Sequence, residues 1–183
     1  GGYVTLQHKF GNFVVKPGIR FEFNEANCEV DGYMYEYQKK NYFNLRPSLH
    51  FSYRTKSMHN FKLSYSRRVS NPDARNLTNF IRYNEEDVSM GNPDLKSVYT
   101  NSFDAGWTKY FEKFGSVGLS AYYRDSEGTI NSVTENYYDT LVFGRWVRMM
   151  MPVNVGRTYN AGVEANVMYR PNGFFNVRFY ANL

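Results

Sequence analysis

The sequence contains no long apolar run. Its hydrophobic stretches end after a few residues, which excludes a membrane-crossing helix of about 20 apolar residues. Cysteine is nearly absent: Cys28 alone rules out an internal disulfide framework and a cysteine-built metal cluster. Three histidines, His8, His50 and His59, lie at no metal-ligand spacing, so no metal and no other cofactor is expected. Blocks of one charge sign are missing as well. The 22 basic and 17 acidic residues leave a net charge of +5, but they are interspersed, with Lys39-Lys40 and Arg67-Arg68 as the only basic pairs of note. Mixed surface charge of this kind does not point to a nucleic-acid partner. The chain opens Gly1-Gly2-Tyr3-Val4, without a Met, a basic start or an apolar core, so it reads as cut from something longer.

Aromatic residues are abundant: 17 Tyr, 15 Phe and 2 Trp make up 19% of the chain. Yet the mean hydropathy is −0.60. Aromatic load in a polar chain implies elements with one greasy face and one wet face. Their period is two. In Leu45-Arg46-Pro47-Ser48-Leu49-His50-Phe51-Ser52-Tyr53-Arg54 odd positions are apolar and even ones mostly polar. The pattern returns in 19–24, 61–66, 117–124, 163–170 and 175–182. Successive side chains on a strand point to opposite faces, so these segments are two-faced strands. The expected fold is all-β: an antiparallel up-and-down meander of about eight strands, at 3–9, 13–24, 43–55, 60–69, 98–111, 116–125, 143–169 (interrupted near 154–159) and 174–183.

Short connections (Gly11-Asn12, 55–60, 112–115 and 171–173) alternate with long ones (25–42, 70–97 and 126–141). In a meander this places tight turns at one end and long loops at the other, as in a transmembrane β-barrel. Residues 1–183 are therefore expected to form a segment of one such barrel domain. One face carries the charge, with hardly any on the other, and Arg20, Glu22, Arg46, His50, Arg68, Asp104, Arg124, Glu164 and Arg178 are the candidate lumen-facing residues. The other face offers Phe, Tyr, Leu, Val, Ile and Trp107 to membrane lipid, where Arg or Lys at mid-bilayer would cost about 2–4 kcal/mol. Tyr33-Met34-Tyr35-Glu36-Tyr37 and Tyr137-Tyr138 are expected in an aromatic girdle. A soluble secreted sandwich or barrel used for binding or adhesion would show the same alternation with its apolar face turned inward, and it stands as the alternative.

Nothing in the chain reads as catalytic, and an enzyme is not expected. The glycines form no phosphate cradle, and the strand carboxylates have basic neighbours rather than an acid–base partner. Asn84-Glu85-Glu86-Asp87 reads as a solvated acidic loop tip and Met149-Met150-Met151 as a bulge or loop-side packing.

Three stretches resemble the barrel of TonB-dependent outer-membrane receptors, particularly the nutrient-uptake branch found in Bacteroidetes. The first is Ser64-Tyr65-Ser66-Arg67-Arg68-Val69-Ser70-Asn71-Pro72, followed after a loop by Gly91-Asn92-Pro93-Asp94-Leu95-Lys96-Ser97. The second is Gly18-Ile19-Arg20-Phe21-Glu22, and the third Gly162-Val163-Glu164 with Arg170-Pro171 and Phe174-Phe175. The resemblance implies a location in the bacterial outer membrane and energy-coupled uptake of a small-molecule or oligomeric nutrient such as an oligosaccharide or peptide. The partners it implies are the remaining barrel strands, a plug domain, TonB and a surface lipoprotein. The plug and the TonB-binding segment are not found in these residues, and the family's larger barrel implies that further strands flank this segment.

Overall fold

A computed structural model describes residues 1–30, 36–112, 115–172 and 175–183. The two-residue alternation is realised as thirteen strands: β1 (Gly2–Thr5), β2 (His8–Phe10), β3 (Phe13–Val30), β4 (Glu36–Arg54), β5 (His59–Ser70), β6 (Ile81–Tyr83), β7 (Asp87–Met90), β8 (Val98–Phe111), β9 (Gly115–Glu127), β10 (Ile130–Asp139), β11 (Arg145–Asn154), β12 (Arg157–Asn172) and β13 (Phe175–Asn182). One 3₁₀ turn, Ala74–Leu77, is capped by the Asp73 side chain accepting from the Arg75 amide. Among the described residues no helix is long and apolar enough to cross a membrane, which says nothing of strands.

The main sheet runs β1-β3-β4-β5-β8-β9-β12-β13, with β2 continuing β1 along the edge of β3. Every pairing in it is antiparallel. The meander is therefore as its alternation requires. Partners such as Arg20↔Arg46, His50↔Ser64, Ser64↔Asp104, Ser102↔Arg124 and Glu164↔Asn182 keep even-numbered residues opposite even-numbered ones from β3 to β13. From β3 to β13, up to the register shift after Tyr169, one face is thus even-numbered and mainly polar and the other odd-numbered and mainly apolar, whereas β1 and β2 pair odd with even.

Burial is inverted relative to a soluble protein. On the apolar face Phe21 is 39% exposed, Leu63 56% and Val167 39%, whereas Asn44 and Ser102 on the polar face are 1% and 6% exposed. A sandwich would have hidden the first set against a second sheet, so the soluble alternative is set aside. In β3 the apolar side runs Phe13, Val15, Pro17, Ile19, Phe21, Phe23, and in β12 it runs Tyr159, Ala161, Val163, Ala165, Val167, Tyr169. Each series matches the 9–11 residues that a tilted strand needs to span hydrocarbon. Aromatic rows bracket the band. Phe13 stacks on Tyr53 at 4.2 Å near the short turns, where Trp107 also donates to His59 Nδ1 at 3.1 Å. Tyr65, Phe103, Tyr123 and Tyr159 follow one another at 5.1–6.3 Å near the long loops. Above that row charge reappears on the same face as the Asp125–Arg157 pair, which marks the edge of the apolar band.

The long connections are more structured than expected. The 25–42 stretch is largely strand, because β3 extends to Val30 and β4 begins at Glu36; Glu25 and Lys39 pair there at 2.8 Å. The proposed girdle segment Tyr33–Tyr35 lies outside the described residues. The 126–141 stretch, expected as a loop, is β10, and the expected 143–169 strand divides into β11 and β12, which lie in different sheets. The division falls at Gly128 and Gly156, with φ of +73° and +69°, conformations that favour glycine. Gly128 N–H donates to the Gly156 carbonyl at 3.3 Å, so the two glycines turn one long hairpin off the wall together.

Beyond that hinge a four-stranded sheet forms in the order β10-β11-β7-β6, β7 joining β11 in parallel. Tyr137 and Tyr138 belong to this sheet and not to a girdle; Tyr138 packs edge-on against Trp146 at 5.4 Å. The three methionines pair in unbroken register with 133–135, so there is no bulge. Asp87 starts β7 and is held by Arg148 at 2.9 and 3.3 Å, which removes it from the expected acidic loop tip. Asp139, fully buried, closes the β10–β11 turn: it accepts from the Val142 and Phe143 amides at 2.8 and 2.6 Å and from the Tyr83 hydroxyl at 2.9 Å. Burial opposes its ionisation, but these hydrogen bonds together outweigh it and hold the carboxyl below its ordinary range.

Two outcomes are expected. The stability lent by Asp139 is complete above the ordinary carboxylate range and is lost as pH falls through its lowered folded value. Amide exchange at Val142 and Phe143, corrected for intrinsic rates, should accelerate in strong acid, and Asp139→Asn should bring that acceleration to neutral pH. In the wall, Leu119→Arg on the apolar face should destabilise a lipid-embedded barrel by about 2–4 kcal/mol in urea titrations. Ser120→Arg, facing Glu164 across the pairing, should cost far less.

Candidate functional site

The polar face owes its chemistry to strand parity, since each even position on β3, β4, β5, β8, β9, β12 and β13 projects to that side. All nine candidates lie there, but only three meet. Glu22 sits between two guanidiniums, at 2.6 Å from Arg20 Nε and 2.9 Å from Arg46 Nη2. Arg20 and Glu22 stand two residues apart on β3, Arg46 is the β4 partner of Arg20, and the Glu22 side chain is only 16% exposed. Arg46 also donates to the Val69 carbonyl at 2.9 Å, tying β4 to the end of β5. Asp104 accepts from the Ser64 hydroxyl at 3.3 Å. The Arg124 guanidinium lies over the Tyr122 ring at 4.8 Å. Arg68 faces Thr100, Glu164 faces Ser120, and Arg178 faces Met168. His50 stands between Lys16 and Ser64. This is a dispersed polar surface. Among the described residues no three His, Cys, Asp or Glu side chains converge to hold a metal ion.

The 70–97 segment folds over this face at its long-loop end. Lys40 donates to the Pro93 and Leu95 carbonyls at 2.6 and 2.7 Å. Asn71 Oδ1 accepts from Asn44 Nδ2 at 3.0 Å and from the Ser97 hydroxyl at 2.9 Å, so one side chain joins both ends of the segment to the wall. Leu77 and Leu95 pack on Tyr42, with Ala26 and Ile130 at the margin. Beneath them the Tyr42 hydroxyl, Asn44 Oδ1 and Arg46 Nε are buried without a partner among the described residues, a polar strip suited to ordered water. The Asn-Pro and Gly-Asn-Pro-Asp-Leu stretches of the sequence are therefore a latch. Lys40, Asn44 and Asn71 escaped sequence reasoning because their partners lie 26 to 55 residues away.

At the short-turn end the same face is basic. Lys9, Arg54, Lys56 and Lys62 line a cavity of about 440 Å³, and Lys16, His50 and Lys62 an adjoining one of about 270 Å³. Among the described residues no carboxylate lines either. Lys16 and Lys62 were findable from parity alone. Lys9 was not, because β2 pairs with β3 as Lys9↔Val14 and so reverses the odd–even rule on that edge.

The family model described as outer membrane protein beta-barrel family matches residues 1–183. No curated protein matches the chain significantly. Among solved structures, the Serratia marcescens hemophore receptor HasR, determined as a double mutant with its hemophore HasA and heme, superposes with a TM-score of 0.77 at 13% identity, over 98% of this chain and 32% of HasR. The siderophore receptor PirA of Pseudomonas aeruginosa gives 0.71 at 14% identity, over 98% of this chain and 33% of its own. A mutant of the ferric enterobactin receptor PfeA, also from Pseudomonas aeruginosa, gives 0.70 at 15% identity, over 91% of this chain and 23% of its own. The chain thus spans a third or less of these receptors, and at such identities the likeness is one of fold. A bare apolar face, an antiparallel meander of matching architecture and a family match along the full sequence converge: the chain belongs to the outer membrane protein beta-barrel family of the bacterial outer membrane.

Proposed function

We propose that this chain is wall of a TonB-coupled uptake barrel, without catalytic activity, whose polar face lines an aqueous lumen. The observation that carries the reading is the shared parity of Arg20, Glu22, Arg46, His50, Arg68, Asp104, Arg124, Glu164 and Arg178. Facing hydrocarbon, such a set would cost several kcal/mol for each cation near mid-bilayer; facing a wet interior it costs little.

The basic cavities at the short-turn end give the lumen a polarity. We assign them to an acidic surface of a plug domain, which Lys9, Lys16, Arg54, Lys56 and Lys62 would hold by ion pairs across the lumen. The folded 70–97 segment, with β10 and β11, belongs to the outer side, where it would meet solute first. For the substrate, the sequence motifs favour an oligosaccharide or peptide. The similarity to HasR, PirA and PfeA favours a second reading, an iron chelate or heme. A surface lipoprotein is a further proposed partner, at the exposed hairpin end.

The test is uptake by cells carrying the full receptor. Labelled oligosaccharide or peptide should accumulate only with TonB and an energised inner membrane present. Accumulation that persists without TonB would remove the coupling, and TonB-dependent uptake of an iron chelate alone would select the second reading. For the plug contact, Lys9→Glu with Lys62→Glu should raise single-channel conductance in planar bilayers while leaving heat-modifiable gel migration unchanged. Unaltered conductance would dismiss the ion-pair role.

A further inference from the structure

The second sheet carries a cleft that neither the wall nor the latch accounts for. Its volume is about 320 Å³, at the small end of the range for ligand sites. Arg75 and Arg82 stand on its polar side with Ser89 and Ser132, while Met90 and Met150 supply apolar lining. The walls come from three separated parts of the chain, so the cleft exists only because the 70–97 segment pairs with β11.

Several contacts fix it. Gly91 lies so close to the 3₁₀ turn that a Cβ there would fall 2.4 Å from the Thr78 carbonyl oxygen and 2.8 Å from that of Asn76. Asn92 donates its amide to the Asn76 carbonyl at 2.6 Å and its side-chain nitrogen to the Pro152 carbonyl at 3.1 Å. Arg82 is itself pinned, one Nη donating to the Arg75 carbonyl at 3.1 Å. A guanidinium has five N–H donors, of which this bond uses one, and Arg82 also lines the cleft.

Electrostatics sets the sign of the ligand. Among the described residues no carboxylate lines the cleft. On the same sheet Asp87 is held bidentately by Arg148, and Asp73 reaches the Arg75 guanidinium at 3.9 Å while it caps the Arg75 amide. Two guanidiniums with hydroxyl neighbours match a planar oxyanion, which arginine grips through paired N–H groups. Methionine side chains are soft and adapt to an apolar body.

We infer that the cleft between the 3₁₀ turn and the β6-β7-β11-β10 sheet binds a small organic carboxylate, its anionic head on Arg75 and Arg82 and its apolar body against Met90 and Met150. This rests on the uptake reading for its purpose, as a first contact for solute, and not for its chemistry.

The test uses the full receptor in detergent, with benzoate as probe and benzamide as its neutral counterpart, followed by ligand-observed NMR. Benzoate should bind saturably and benzamide at least about tenfold more weakly. Arg82→Gln should weaken benzoate at least about tenfold, the scale of one lost charge-assisted pair. Arg75→Gln, a change at an exposed side chain that does not threaten folding, should weaken it as well, and Arg170→Gln at the other end of the wall, also exposed, should leave it unchanged. Absence of saturable benzoate binding, equal binding of benzamide, or indifference to both arginine changes would overturn the assignment. The uptake reading fails separately, through loss of TonB dependence in cells, so the two failures are distinguishable.

Discussion

Hydrocarbon offers a backbone no water and a charge no hydration, and most of the structure follows from that constraint. A strand in such surroundings must hand every amide and carbonyl to a neighbour, which produces the unbroken antiparallel ladder from β1 to β13. It must also carry its ionised groups on one side only. The second demand is met by arithmetic: because pairing in the wall joins even to even from β3 onward, a single parity separates a face that can be charged from one that cannot. Asn44 and Ser102 are then enclosed while Leu63 stands exposed, the reverse of a water-soluble core.

Different parts of the polar face solve different problems. At the long-loop end Glu22 reconciles two arginines, and Arg46 passes the connection on to the Val69 carbonyl. There the wall and the segment above it form one bonded unit, with Lys40 and Asn71 as its fastenings. At the short-turn end the cavities are lined by cations, with no carboxylate among their described lining residues.

How much of this the sequence discloses depends on the distance over which each feature is decided. Strand identity is local: Leu45-Arg46-Pro47-Ser48-Leu49-His50 alternates whatever else the chain does, and the wall strands emerge near their expected places. So does the sidedness of the nine candidates, which needs only a period of two. The outer sheet was hidden because its pairings are remote. Val88 meets Met149 across about sixty residues, and neither segment alternates cleanly enough to declare itself. The polarity of the 25–42 stretch imitated a loop, although strands beyond the apolar band have no reason to be greasy. Lys40, Asn44 and Asn71 look like ordinary surface residues until the fold brings their acceptors within reach.

The paired turn at Gly128 and Gly156 has a consequence for how such a protein changes over time. Because both rails of the long hairpin bend at the same level, residues 129–155 leave and rejoin the wall through only two backbone crossings, and their length is independent of the wall's register, although β11 also pairs with β7. Residues could be added or removed there in any number, odd or even, without exchanging the sides of a single wall strand. Within the wall, one inserted residue would invert the rest of its ribbon. Changes of length are thus tolerated beyond the two glycines, while each embedded ribbon must keep its count of residues.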